Sequence, residues 1–119
     1  MDKRLPPLPA VFQALADPTR LAIVGALGRG PATVSVLAAP FSMALPSFMK
    51  HLSVLERCGV IRSDKAGRVR TCELLPAALT QVERWLVDQR DLWEARSDRM
   101  AAFAEQLHQE TTHGPSPRR

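Results

Sequence analysis

Apolar residues recur at the spacing of an α-helix in short stretches through the first half of the chain. Asp17 and Pro18 predict the start of the second helix, because an aspartate caps free backbone N–H groups and a proline needs no N–H at the first helical position. Thr33 predicts the cap of a short third helix over 34–39, which Pro40 closes. The apolar residues expected to pack inward from these three helices are Leu8, Val11, Phe12, Leu15, Leu21, Ile23, Val24, Leu27, Val34, Leu37 and Ala38.

The fourth helix is predicted over about 44–57, where Phe48, Leu52 and Leu55 repeat at i, i+4 and i+7 on one face. Pro46 is compatible with this helix only in its first turn, where a missing N–H costs nothing. The residues between the apolar positions are therefore expected on the side of the helix that faces away from the core.

Alternation with a period of two replaces the helical spacing after the fourth helix. Residues 62–73, named the wing below, predict two antiparallel strands joined by a turn at 65–67. Arg68 and Arg70 flank Val69, so the alternation predicts that Val69 lies on the packed face and both arginines on the open face. The sequence thus predicts a small hairpin with a basic tip.

A long helix is predicted from Pro76 to about residue 109, with apolar residues mostly at the 3.5-residue spacing of a coiled coil. A domain of this size cannot cover so long an apolar face, so we expect a second copy of the chain to cover it, with the first helix contributing. An intrachain core with a long exposed helix is the alternative. The expected dimerisation residues are Leu8, Val11, Phe12, Leu86, Trp93, Met100, Phe103 and Leu107.

The composition is that of one globular domain, since 45% of the 119 residues are apolar and 24% are charged. We expect this domain over 8–110, between a flexible arm at 1–7 and a disordered tail at 111–119. Two cysteines do not make a disulfide framework, and neither a signal sequence nor an apolar run of membrane-spanning length is found. A cytoplasmic location is therefore expected.

The positive charge is concentrated in the middle of the chain. Residues 44–70 carry six basic and two acidic side chains, a net charge of +4 that equals the formal charge of the whole chain. Residues 76–110 carry four arginines and seven acids, a net charge of −3. The fourth helix and the wing are thus the predicted anion-binding face, and the last helix is not.

The order of the elements predicts a mainly α fold with a two-stranded β wing, a winged helix-turn-helix whose long terminal helix serves dimerisation. Four motifs carry a family resemblance: Leu-Ala-Asp-Pro-Thr-Arg at 15–20, Pro-Ser-Phe-Met-Lys-His-Leu-Ser-Val-Leu-Glu at 46–56, Cys-Gly-Val-Ile at 58–61 and Gly-Arg-Val-Arg at 67–70. With them the chain resembles the ArsR/SmtB family of transcriptional repressors, in a branch without the metal-binding motif.

The resemblance implies a homodimeric repressor that is not an enzyme and that binds double-stranded DNA at an inverted-repeat operator. Helix 44–57 would enter the major groove, and the wing would follow the adjacent backbone. Arg20 is expected to bind within its own domain instead. The expected DNA-binding residues are Ser47, Lys50, His51, Lys65, Arg68 and Arg70.

Two other functions stay open: a winged-helix module that binds an acidic protein, and the same repressor acting as a thiol redox sensor through Cys58 or Cys72. No cofactor is expected, because residues 34–39 hold no metal-ligating side chain and a cluster of four ligands is absent from the sequence. Nor do the residues identify an inducer. Ser47 and Lys50 have the spacing of a serine-hydrolase motif, but its companion motifs are missing, which excludes this enzyme class.

Overall fold

The computed structural model describes residues 6–113, so most of the predicted arm at 1–7 and of the predicted tail at 111–119 lies outside the described residues. The chain forms two compact units, and the boundary between them, after Glu83, falls within the last helix. The last helix runs to His113, beyond its predicted end near residue 109. The elements are α1 (Leu8–Leu15), α2 (Pro18–Leu27), β1 (Ala32–Thr33), α3 (Val34–Ala38), α4 (Leu45–Arg57), β2 (Ile61–Ala66), β3 (Val69–Leu74) and α5 (Pro76–His113).

Both predicted helix caps are confirmed. The Asp17 carboxylate accepts a hydrogen bond from the backbone N–H of Arg20 at 3.0 Å, and the Thr33 hydroxyl accepts one from Val36 at 3.3 Å. These bonds satisfy N–H groups that have no partner inside the helix, so they fix where α2 and α3 begin. Pro46 lies in the first turn of α4, as predicted.

The predicted hairpin is confirmed, but the sheet has three strands in the order β1-β3-β2. Ala32 pairs with Cys72, and Thr33 with Thr71, in an antiparallel register. The expectation of two strands was therefore incomplete. Two residues are too few to show alternation, and β1 exists because β3 offers it an edge.

The core of the first unit lies between α1, α2, α4 and the sheet. The predicted stripe of α4 is confirmed, since Phe48, Leu52 and Leu55 are all buried. Leu21 was expected to face inward, but this side chain is 57% exposed. It begins the second turn of a helix whose buried stripe is Ile23, Val24 and Leu27.

The second unit consists of the rest of α5, and its large apolar side chains are exposed. Among residues 6–113, no single helix is both long enough and apolar enough to cross a membrane. The helices α1 and α2 meet these criteria only when they are taken together, and they are bent by 99° relative to each other.

Candidate nucleic-acid interface

Helix α4 exposes a polar surface opposite its buried stripe. Ser47 and Lys50 are exposed, and they lie three residues apart, which makes them neighbours on the helix surface. His51, the next residue, is half-buried. The structure thus brings these predicted DNA contacts to one helix but gives the histidine a different environment.

His51 belongs to a polar cluster that joins three helices. Arg20 Nη1 lies 3.2 Å from His51 Nδ1, and Asp17 Oδ2 lies 3.7 Å from the same nitrogen. Arg20 also donates from Nε to the Ala14 carbonyl at 2.7 Å and from Nη2 to the Gln13 carbonyl at 3.3 Å. The guanidinium therefore ties the end of α1 to the middle of α4, which agrees with the intradomain role expected for Arg20.

The same cluster holds Asp17 in its charged form. The backbone N–H of Arg20 lowers the pKa of the Asp17 carboxyl below its ordinary value, and the nearby His51 and Arg20 side chains add to this effect. The cap at the start of α2 thus depends on a carboxylate whose charged form is favoured in the fold.

The wing presents its cations in two different ways. Lys65 and Arg68 are exposed at the tip, on either side of Gly67, whose φ of +65° suits the tight turn. Arg70 is half-buried and donates from Nη1 to the Ser63 hydroxyl at 3.3 Å. Lys65 and Arg68 are therefore the more accessible pair.

The predicted faces of the wing are wrong. The register pairs Ser63 with Cys72 and Lys65 with Arg70, so Arg70 shares a face with the buried Cys72. Val69 lies on the other face and is half-exposed. The alternation of charge around Val69 gave the right period but the wrong phase, because the packed face is set by Cys72 further along β3.

Polar contacts brace the wing against α4. The Ser63 hydroxyl lies 3.2 Å from both carboxylate oxygens of Glu56. Across the strands, Arg62 forms an ion pair with Glu73 at 2.9 Å, and this hydrogen-bonded contact raises the pKa of Arg62. Within residues 6–113, by contrast, no carboxylate lies within ion-pair distance of Lys50, Lys65 or Arg68.

A cavity of about 450 Å³, named the groove below, opens between the starts of α3 and α4 and the wing. Lys65, Arg68 and Arg70 line it on the wing side. Leu45 and Met49 line it on the α4 side. Lys65 and Arg68 therefore border a concave surface next to α4, a suitable shape and charge for a nucleic-acid backbone.

Comparison with known proteins agrees with this geometry. A family described as a helix-turn-helix domain matches residues 15–64. An ArsR family transcriptional regulator of known crystal structure is 62% identical, with a TM-score of 0.70 over 73% of this chain and 90% of that one. The chain belongs to the ArsR family. An ArsR-like transcriptional regulator from Rhodococcus sp. RHA1 is 34% identical, with a TM-score of 0.69 over 82% of this chain and 92% of that one.

Two further relatives are known by their function as transcriptional regulators. The transcriptional repressor SdpR of Bacillus subtilis is 31% identical over 78 residues, which are 66% of this chain and 87% of that protein. The HTH-type transcriptional regulator Rv2034 of Mycobacterium tuberculosis is 40% identical over 68 residues, which are 57% of this chain but only 64% of that protein. The predicted winged helix-turn-helix fold and family are therefore confirmed. ArsR proteins are DNA-binding transcriptional regulators, not enzymes.

Neither cysteine of this ArsR-family chain is exposed. Cys72 is buried, and burial raises the pKa of its thiol, which keeps the sulfur protonated and unreactive. Cys58 is half-buried. Over the described part of the chain, no three His, Cys, Asp or Glu side chains come together in a group that could hold a metal ion.

The predicted dimerisation residues divide into three groups by exposure. Leu86, Trp93, Met100, Phe103 and Leu107 are exposed along α5, and Leu8 and Phe12 are half-buried. Val11 is fully buried in the core of its own chain, so it offers no surface to a partner, and its predicted role is corrected.

Sequence reasoning missed three exposed apolar residues near the groove or at its edge: Val36, Leu45 and Val69. Leu45 carried no usable signal. It lies three residues before Phe48, a spacing that places it beside the buried stripe and predicts burial, whereas the structure exposes it at the first position of α4.

Proposed function

We propose that this chain is a homodimeric repressor that inserts α4 into the major groove of an inverted-repeat operator. The observation that carries the proposal is the exposed surface formed by Ser47 and Lys50 on α4 and by Lys65 and Arg68 at the wing tip. A helix fits the major groove, and cations without carboxylate partners attract the phosphates on either side of it. The likeness to the SdpR repressor supports the direction of regulation.

The six candidate side chains divide by chemistry. Lys50, Lys65 and Arg68 suit phosphates, because a cation there needs no particular base. Ser47 is short and can reach a base edge only where α4 lies deep in the major groove of the DNA. Arg70 lines the groove but also braces Ser63, so it both stiffens the wing and adds charge.

His51 is proposed as an oriented hydrogen-bond donor. Arg20 is always a donor, so the contact at 3.2 Å requires Nδ1 of His51 to accept. In the neutral ring the proton is then on Nε2, and this N–H is the group offered to a phosphate. Arg20 acts through His51 as a positioning residue.

The exposed apolar residues of α5 support the homodimer. Leu86, Trp93, Met100 and Leu107 are spaced by seven residues, and Phe103 lies three after Met100, which is the pattern of a coiled-coil seam. Exposed apolar surface of this extent is rare on a monomer. The acidic balance of the same segment makes DNA an unsuitable partner for it.

Selection of duplexes from a random-sequence pool by the full chain tests the function. We expect an inverted repeat with half-sites about 10 base pairs apart, bound by two chains. A single half-site, or equal retention of all sequences, contradicts the proposal. Binding to an acidic protein with no preference among DNA sequences would favour the interaction module instead.

A further inference from the structure

Leu45 is an apolar side chain at the entrance of the candidate DNA interface. It is the first residue of α4, it is 57% exposed, and it lines the groove. Met49 lies four residues further along, so the two side chains are neighbours on the helix surface. The α4 wall of the groove is therefore apolar, while the opposite wall carries Lys65 and Arg68.

This combination restricts what can occupy the groove. The cations favour a polyanion, which excludes a purely apolar partner. Residues at the N-terminal end of a recognition helix are those that contact base edges. Leu45 has no donor or acceptor, so pressing it against a polar base edge would remove water without supplying a hydrogen bond in return.

Thymine is the base whose major-groove edge carries a methyl group. We propose that Leu45, backed by Met49, reads the 5-methyl group of a thymine in each operator half-site. The inference rests on the proposed function, because it requires α4 in the major groove. Lys65 and Arg68, on the opposite wall of the groove, bind the DNA phosphates. These contacts set how deeply Leu45 enters the major groove.

The test replaces thymine by 2′-deoxyuridine, which lacks the methyl group and keeps the same pairing. Duplexes selected by the full chain are synthesised with each thymine replaced in turn, and the affinity of each duplex is measured. At one or more thymines per half-site we expect the affinity to fall by about fourfold, the factor that burial of one methyl-sized group is worth.

Two variants show whether Leu45 is the reader. Leu45→Ser should bind thymine and deoxyuridine duplexes within about twofold of each other, because the contact to the methyl group is gone. Leu21→Ser is the matched control, since Leu21 is the same residue type with the same 57% exposure but lies on α2 and does not line the groove. It should keep the full discrimination.

The outcomes separate this inference from the proposed function. Sequence-selective binding with no sensitive thymine, or sensitivity that persists in Leu45→Ser, overturns the methyl reading and leaves the repressor intact. Binding of all duplexes alike overturns both. The deoxyuridine series with the unchanged protein decides the matter even if a variant does not fold.

Discussion

The two units of the chain differ in how far they bury large apolar side chains. In the first unit, Phe48 is completely buried under α1, α2 and the sheet. In the second unit, Phe103 and Trp93 are 61% and 65% exposed on a single helix. A helix cannot cover its own apolar face, so these side chains stay exposed in the second unit where the first unit covers its own.

The charges differ in the same way. The exposed side of the first unit carries cations on α4 and the wing that have no carboxylate partner among residues 6–113, whereas α5 carries an excess of acids. The difference teaches that one small chain can separate two recognition tasks by charge and by apolarity. Four experiments test or sharpen this contrast, from the largest expected effect to the smallest.

Replacement of phenylalanine by alanine in each unit gives the largest contrast. Phe48→Ala should lower the free energy of unfolding by about 4 kcal/mol, because it leaves a cavity in a closed core. Phe103→Ala should instead lower stability by an amount that depends on protein concentration, as expected when burial requires a second chain. Urea unfolding at two protein concentrations measures both. Equal, concentration-independent losses would contradict the distinction between the units.

Charge in the α5 seam should break the proposed homodimer. Trp93→Glu combined with Phe103→Glu should give monomers in sedimentation, and operator affinity should fall by about 100-fold because the two half-sites no longer assist each other.

The control adds the same two charges on the outer face of α5, with Ala95→Glu and Ala102→Glu. This protein should remain dimeric. Monomers in the control as well would show that added charge, not the seam, decides assembly.

Substitutions in the wing and in α4 should differ in kind. Arg68→Ala should weaken operator and random DNA about equally and reduce the slope of the salt dependence by about one. Ser47→Ala should cost about 1–3 kcal/mol on the operator if Ser47 reads a base, and little on random DNA. Titrations of both DNAs across a salt series measure the difference. If Arg68→Ala alone abolishes sequence preference, α4 is not the reading helix.

The smallest effect concerns the Asp17 cap and its pH dependence. The pKa of Asp17 is lowered in the folded chain, so its charged form stabilises the fold above the ordinary pKa of 3.8, and this contribution disappears as the pH falls through the lowered value. Asp17→Asn should therefore be less stable than the parent protein at neutral pH, and the gap should close in acid. Urea unfolding midpoints of both proteins, measured from about pH 2 to about pH 7, follow this stability gap, because that range spans the titration of the carboxylate.

Asp88→Asn is the control, because it removes the same charge from α5. A gap for Asp17→Asn that stays constant with pH would show that the carboxylate charge does not stabilise the cap.

Local signals predicted most of the fold. The caps at Asp17 and Thr33 and the stripe of α4 each depend on residues close in sequence, and each is confirmed. The turn of the wing was predicted at 65–67, but β2 runs to Ala66 and β3 begins at Val69, so the turn consists of Gly67 and Arg68. Two further departures depend on how the sheet pairs and packs. β1 forms because β3 lies beside it, and the face of Arg70 is set by the burial of Cys72.

The candidate site was predicted less completely than the fold. The sequence indicated the basic residues of the site, because charged side chains and their positions can be read from it directly. It did not reveal that Arg20 reaches His51 across 31 positions of sequence, nor that Leu45 borders the same groove as Lys65. Such contacts arise from packing between helices, which periodicity along one element does not describe.

Thr33 has a double role whose consequence concerns the cost of binding. It is the last residue of β1, paired with Thr71 of the wing, and its hydroxyl also begins α3. Because one residue joins the wing to α3, the spacing between the wing and α3 is already fixed in the free protein. For the DNA complex proposed above, little conformational entropy would then be lost on association, and a duplex whose groove width does not match would bind poorly because the protein does not adjust to it. Thr33→Gly should loosen this spacing, and such a protein would tolerate more varied duplexes at lower affinity for each.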